Sequence, residues 1–280
     1  MTLIVEGKTI AQDIYQDLGT LVREKGLAPV LDIFWVGDDK PTETFVRIKE
    51  SKAKEIGVLF REHHYRTDEI RQEDLISKIR NSKANAVVVQ LPLPKKFNVE
   101  KILSSISPEQ DIDLLNPDTF SVFKNAKLQD LQNIILPPVA GAVLRILKKY
   151  DVSTNAKRVA VIGNGKLVGQ PVSALFYKMS FAELSVLDKD TNPEEFKAVL
   201  KSADIVVSGT GIANIVTPEL IKEGVVLIDA GTSSQKAKGV HLGDISADCA
   251  QKASLFARSP GGVGPITVAI LYENLIKTML

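Results

Sequence analysis

Short apolar runs alternate with amphipathic stretches along nearly the whole chain. Residues 3–5 read as a small edge strand. Ile10, Ile14, Leu18 and Leu21 then fall at helical spacing up to Gly26. Residues 29–36 are apolar and rich in branched and aromatic side chains, which predicts a buried strand ending at Gly37-Asp38-Asp39. A charged segment, 41–57, carries Val46, Ala53 and Ile56 as a narrow apolar stripe, the mark of an amphipathic helix on which Phe45 and Lys49 share a face. Residues 58–65 predict a strand, 68–80 a helix, and 86–89 a fully apolar strand running into Gln90-Leu91-Pro92-Leu93-Pro94. A short helix over 99–106 and a loop over 107–117, with Asp111 and Asp113, complete a βα domain. Residues 118–136 show no clean period and read as a connector, followed by a helix over 142–150 that Pro137-Pro138 introduces.

The second half is organised around residues 161–171. The apolar run 159–162 leads into Gly163, Gly165 and Gly169, and a helix-compatible segment follows. In a strand-turn-helix of this kind, glycines let backbone N–H groups approach a pyrophosphate at the positive end of the helix. The spacing is one residue longer than the usual dinucleotide fingerprint, so context has to support it. A second strand, 184–187, ends in Asp188, where a ribose-binding carboxylate is expected, and the runs 205–207 and 225–228 end in small or acidic residues. This alternation predicts a parallel sheet with ligands at its carboxyl edge. The stretch 259–265 is a glycine-rich loop ahead of an apolar helix over 266–279, and by itself it could be only a hinge.

Composition narrows the class. A chain of 280 residues is long enough for two domains, and a net charge of +1 supplies no field for nucleic acid. The single cysteine, Cys249, excludes an intramolecular disulfide framework and a thiolate metal cluster, and His63, His64 and His241 lack ligand spacing, so no metal site is expected. Residues 1–5 are too short for the apolar region of a signal peptide, and no apolar run nears membrane-spanning length. A soluble cytoplasmic protein without membrane contacts is the expectation.

Five segments, in order, resemble the methylenetetrahydrofolate dehydrogenase/cyclohydrolase family: F-V-R-I-K-E-S-K-A-K-E-I-G, V-V-Q-L-P-L-P, P-E-Q-D-I-D, V-I-G-N-G-K-L-V-G-Q-P and S-P-G-G-V-G-P-I-T-V-A. The resemblance implies an α/β protein of two domains with an active cleft between them. One is an N-terminal βα catalytic domain, 1–136, completed by a C-terminal helix, 266–280, that returns to it; the other is a Rossmann-like NAD(P)-binding domain, 137–265. It further implies NAD(P)-dependent oxidation of 5,10-methylenetetrahydrofolate, hydrolysis of the methenyl product to 10-formyltetrahydrofolate, and a homodimer. Lys49 matches the lysine that assists water attack, Gln90 the glutamine that holds it, and Asp113 the carboxylate that pairs with the pterin. Phe45, Val89, Leu91, Pro260, Gly261, Gly262 and Val263 fall at substrate positions. Gly163, Asn164, Gly165, Val168, Gly169, Gln170, Asp188, Gly209 and Thr232 fall at cofactor positions. Read without the family, Lys49 among Arg47, Lys52 and Lys54 is a solvated helix face, Gln90 a strand cap and Asp113 a turn former.

The chain departs from the family in places. Phe45 replaces the usual tyrosine, keeping a ring but losing the hydroxyl. Leu114 replaces a glycine after Asp113, and residues 137–142 lose the threonine and second proline of a segment that normally abuts the cofactor. Asn164 and Gly165 stand where NADP users commonly carry arginine and serine, and Asp188 favours a ribose diol, so the local residues lean to NAD while the family leans to NADP. A cyclohydrolase-only enzyme and a non-catalytic folate- or nucleotide-binding homologue are the alternatives. A generic Rossmann dehydrogenase would leave the Q-L-P-L-P and P-G-G-V-G-P segments without a purpose.

Overall fold

The computed structural model describes residues 2–231 and 242–280. The chain forms two compact units, one of Met1–Ala11 with Pro138–Thr267 and the other of Gln12–Pro137 with Val268–Leu280. It opens with strand β1 (Leu3–Ile4) and helix α1 (Gly7–Glu24). The second unit then holds β2 (Val30–Val36), α2 (Lys40–Ile56), β3 (Leu59–Tyr65), α3 (Gln72–Arg80), β4 (Ala86–Val89), α4 (Val99–Leu103) and α5 (Pro117–Asn125).

Its three strands run parallel in the order β3-β2-β4. The chain crosses from one side of β2 to the other between β3 and β4, so the carboxyl ends of β2 and β4 form a topological switch point, the place where α/β sheets bind ligands. Gln90 directly follows β4, and α2 starts just beyond β2. Helix α2 begins where the Asp39 carboxylate accepts from Thr42 N at 3.0 Å and ends at Gly57, whose φ of 83° needs no Cβ. Its buried positions are Thr42, Val46, Ala53 and Ile56.

Two predicted elements are corrected here. The helix expected over 68–80 starts only at Gln72, because Arg66 N and the Glu69 side chain close a turn ahead of it. The expected connector over 118–136 contains α5, with Asn116 capping Asp118 N at 2.8 Å, Pro117 in the first turn and Thr119 and Phe123 buried one turn apart.

The first unit continues with α6 (Pro138–Lys149), β5 (Arg158–Ile162), α7 (Gly169–Phe176), β6 (Glu183–Leu187), α8 (Pro193–Ser202), β7 (Ile205–Ser208), β8 (Val226–Asp229) and β9 (Leu255–Ala257), and α9 (Val263–Lys277) closes the chain. Its sheet has six parallel strands in the order β1-β9-β8-β7-β5-β6. The central strands β7 and β8 are buried at every residue, as continuous Val/Ile/Leu runs in a doubly covered parallel sheet should be. Strand β1 was expected with the N-terminal βα elements; instead Leu3 and Ile4 pair with Leu255 and Phe256, far along the chain. The switch point lies between β5 and β7. Among the described residues, no helix is long and apolar enough to cross a membrane.

Candidate active site

In the second unit, the buried stripe of α2 runs Thr42, Val46, Ala53, Ile56, and the gap between Val46 and Ala53 is filled by Lys49. Its Nζ donates to Gln90 Oε1 at 2.6 Å, and Gln90 Nε2 in turn donates to Leu91 O at 2.8 Å, which fixes the amide's orientation. Burial holds the Lys49 ammonium below its ordinary value, against the pull of the nearby Asp113 carboxylate. The Asp113 carboxyl is pushed up to about 6 by burial, with Lys49 opposing and Asp111 adding to the rise. Both groups are thus shifted toward their neutral forms beside one another, the direction that favours passing a proton. The solvated-face reading of Lys49 fails on this geometry, whereas Arg47, Lys52 and Lys54 do lie outward, paired with Glu62, Glu55 and Glu50.

Asp113 is presented by a turn built around Asp111. The buried Asp111 carboxylate accepts from Leu115 N at 3.2 Å, from Asn116 N at 2.8 Å and from the Thr119 hydroxyl. Leu114, at the glycine position, adopts φ 53° and is only 4% exposed. The left-handed conformation costs a side-chain-bearing residue roughly 1–2 kcal/mol, while a buried leucine lost to alanine costs about 2–5 kcal/mol. Packing therefore outweighs strain. Leu114→Gly is expected to destabilise, but by about 1 kcal/mol less than Leu114→Ala, which keeps the strain and loses the same contacts. Denaturant melts of both variants check the order; an alanine variant as stable as the glycine one would remove strain from the account.

Phe45 lies one turn before Lys49 and is 37% exposed, an aromatic face left open. Val89 is buried at the end of β4 and Leu91 is partly buried after Gln90. From α9, the buried Tyr272 donates its hydroxyl to the Lys49 carbonyl at 2.6 Å. A groove of about 410 Å³ elsewhere in this unit is lined by Asp32, Arg61, His63 and Lys83 and contains none of these residues.

In the first unit, Gly163 follows β5 with φ 94°, and Gly163 N donates to Leu187 O at 2.7 Å. A Cβ on Gly163 would lie 2.8 Å from Gly209 O, one on Gly169 only 1.9 Å from Gly163 O, and one on Gly209 2.2 Å from Val168 Cγ1. Three of the four predicted glycines thus make backbone approaches that admit no side chain. Gly165 differs, with open space around it and no positive φ. Gln170 N donates to Gly165 O at 3.1 Å and its side chain to Asn164 O at 3.2 Å, closing the turn. Helix α7 starts behind Val168, which offers no side-chain cap. A bare helix N-terminus in a glycine cradle fits a pyrophosphate. Asp188 lies exposed after β6, with Oδ1 accepting from Asp190 N at 3.0 Å. Thr232 lies outside the described residues. Pro260, Gly261, Gly262 and Val263 lie between β9 and the start of α9, with Gly261 at φ 107° and Gly7 N donating to its carbonyl at 3.1 Å.

Sequence reasoning passed over Asp244. It is fully buried, and its Oδ2 accepts from Ser208 Oγ at 2.8 Å, Thr210 N at 2.6 Å and Thr210 Oγ1 at 2.9 Å, gripping Gly209 from both sides. Beside it, burial and the Asp244 charge push the Asp229 carboxyl up to about 7. An aspartate between glycine and isoleucine carries no such signal in sequence, since exposed turns look the same.

The fold and these contacts define a class, an α/β protein with a dinucleotide-type turn at the switch point of one unit and a half-buried lysine, held by a glutamine, at that of the other. Comparison with known proteins narrows it. The family model for the tetrahydrofolate dehydrogenase/cyclohydrolase catalytic domain matches residues 5–113, and that for the NAD(P)-binding domain matches residues 137–280. The Bifunctional protein FolD of Staphylococcus aureus is 33% identical over 280 residues, covering 98% of this chain and 95% of that protein. A Trypanosoma brucei methylenetetrahydrofolate dehydrogenase-cyclohydrolase, solved with NADP and an inhibitor, superposes with a TM-score of 0.90 at 30% identity, over 99% of this chain and 97% of that one. The bifunctional enzyme of Campylobacter jejuni gives 0.89 at 27% identity, with coverage of 99% and 98%. The chain belongs to the tetrahydrofolate dehydrogenase/cyclohydrolase family.

Proposed function

We propose that the chain oxidises 5,10-methylenetetrahydrofolate to the methenyl form with NAD(P)+ and hydrolyses the methenyl form to 10-formyltetrahydrofolate. The observation that carries the reading is the 2.6 Å bond from a half-buried Lys49 to Gln90, in a unit where burial also raises Asp113. A nicotinamide held by the first unit would supply the hydride acceptor for the oxidation. The chain's own groups do the rest. Gln90 aims the Lys49 amine; in its neutral form the amine takes a proton from water as the water oxygen bonds to the methenyl carbon, and the carbinol proton then passes to N5 as the carbon's bond to N5 breaks, leaving the formyl group on N10 and an N–H at N5. Ionised Asp113 accepts from the pterin's amino group and ring N–H, and the exposed ring of Phe45 offers a stacking face. Gly163, Gly169 and Gly209, with the start of α7, hold the pyrophosphate, and Asp188 the ribose. We assign Val89, Leu91 and Pro260 to Val263 to the folate, and Asn164, Gly165, Val168, Gln170 and Thr232 to the nucleotide. The same reading has the protein acting as a cytoplasmic homodimer, which sizing chromatography and cell fractionation test.

Methylenetetrahydrofolate offered with NAD and NADP separately should yield reduced cofactor, and the enzyme should speed the loss of methenyl absorbance. Silence in both assays would overturn the reading. The ratio of kcat/KM for the two cofactors decides whether Asp188 sets an NAD preference.

Asp113 makes the folate step pH-dependent. With its carboxyl pushed up to about 6, folate KM is expected to climb as pH falls through that value, and Asp113→Asn to abolish the dependence along with most of the affinity. Linkage fixes the sign for stability. The folded state holds this proton more tightly than the unfolded chain, so stability is lost as pH rises from about 4 through about 6. At pH 7, Asp113→Asn should therefore stabilise by about 1–2 kcal/mol, after discounting for partial solvent access. A thermal melt that falls instead would mean the carboxylate is not strained in the fold.

A further inference from the structure

Helix α9 is apolar along almost its whole length, yet it buries Asn274 at 3% exposure. A buried amide is tolerated only if its donors and acceptor find partners, and this one finds three. Nδ2 donates to Ile112 O at 2.8 Å and to Leu136 O at 2.7 Å, while Oδ1 accepts from Leu136 N at 3.2 Å. Ile112 is the residue directly before Asp113 and is itself fully buried. On the other side of Asp113, Leu114 is held in the left-handed region and Leu115 N is tied to Asp111. The Asp113 backbone is thus pinned from behind by Asp111 and from in front by Asn274, and of the two only Asn274 reaches it from a distant part of the chain.

We infer that Asn274 is a positioning residue for the folate-binding carboxylate: through the Ile112 carbonyl it sets where Asp113 stands. The inference rests on the proposed folate role of Asp113. Its physical content is leverage, because a bidentate contact to a flat ring tolerates little displacement, and a shift on the order of 1 Å can cost up to about a hundredfold. Removing Asn274 also leaves the buried Ile112 carbonyl and the half-buried Leu136 carbonyl and N–H without their partner, which forces the Ile112 and Leu136 segments to move or hydrate.

The test is a double-mutant cycle on the full-length enzyme with Asn274→Ala, Asp113→Asn and the pair, measured well below each variant's melting temperature. Asn274→Ala is expected to raise folate KM roughly tenfold in both reactions while leaving NAD(P) KM within about twofold. Added to Asp113→Asn it should cost nothing further, since the carboxylate it positions is already gone. A purely structural asparagine would instead lower the melting temperature, leave folate KM unchanged in the folded enzyme, and add its penalty in full to that of Asp113→Asn; either of the last two results overturns the inference. Should the alanine variant fail to fold, Asn274→Ser, whose hydroxyl can still serve one carbonyl, is read in the same cycle with a smaller expected rise. Turnover by the wild-type enzyme in the same assay keeps the two claims apart: active wild type with an unresponsive KM sinks only the positioning role, whereas a wild type silent toward folate sinks both.

Discussion

Replacing Lys49 with glutamine is expected to cut methenyl hydrolysis by roughly 10²–10⁴-fold, the usual contribution of a positioned acid or base. The prediction follows from where the lysine stands. It lies half-buried in register with α2's buried stripe, its Nζ meets Gln90 at 2.6 Å, and desolvation depresses its ammonium. A glutamine there fills similar space and keeps a hydrogen bond to Gln90, but it can take no proton from water. The chain should still fold, because the substitution removes a charge that the fold holds at a cost. Lys49 binds its proton less tightly in the folded state, so its charged form subtracts from stability, and the deficit shrinks as pH rises from the depressed value toward 10.5. Circular dichroism melts and stopped-flow hydrolysis on one preparation check both halves. A variant that hydrolyses methenyltetrahydrofolate within about threefold of wild type would withdraw Lys49 from the mechanism.

Gly169→Val should remove nucleotide binding while sparing hydrolysis. A Cβ at this position would sit 1.9 Å from Gly163 O and 2.6 Å from its carbonyl carbon, both backbone atoms that cannot rotate away. The first turn of α7 must therefore leave the end of β5, and the N–H groups proposed to face the pyrophosphate leave with it. Loss of NAD(P) affinity of at least about a hundredfold is expected, a few hydrogen bonds to a charged group at about 1.5–3 kcal/mol each. Gly165→Ala, one turn of loop away, meets open space and should bind the cofactor within about threefold. Titration of cofactor fluorescence compares the two. Equal behaviour would show that glycine spacing alone, rather than backbone approach, had been read as a site.

The strands and most helices were legible because their patterns are strong: three or more contiguous Val/Ile/Leu/Ala residues in β4, β7 and β8, and glycine or proline at many boundaries. Helix α5 was missed because a nine-residue helix that buries only Thr119 and Phe123 leaves too little periodicity to see. The inward register of Lys49 could have been found. It sits three residues after Val46 and four before Ala53, the spacing of the buried stripe itself, but the neighbouring Arg47, Lys52 and Lys54 hid that register behind a charged composition. Asp113 and Gln90 needed the family resemblance, since a strand-end glutamine and a turn aspartate are ordinary. The grips of Asn274, Tyr272 and Asp244 on backbone groups arise from contacts across 138, 223 and 34 or 36 residues of chain, a kind of proximity that no local pattern encodes.

The pairing of β1 with β9 sets a schedule for synthesis. Leu3 finds its partner at Leu255, so this strand waits for a segment far along the chain before it can be used. The other unit waits as well, because Tyr272 and Asn274 reach partners 223 and 162 residues earlier in the chain. Neither unit can complete on the ribosome while residues beyond the middle of the chain are still being added, and sheets closed by such distant contacts form slowly. Chains released early would expose both an unpaired β9 edge and an unclamped Asp113 turn, making premature termination far more damaging here than in a protein whose domains follow one another along the sequence.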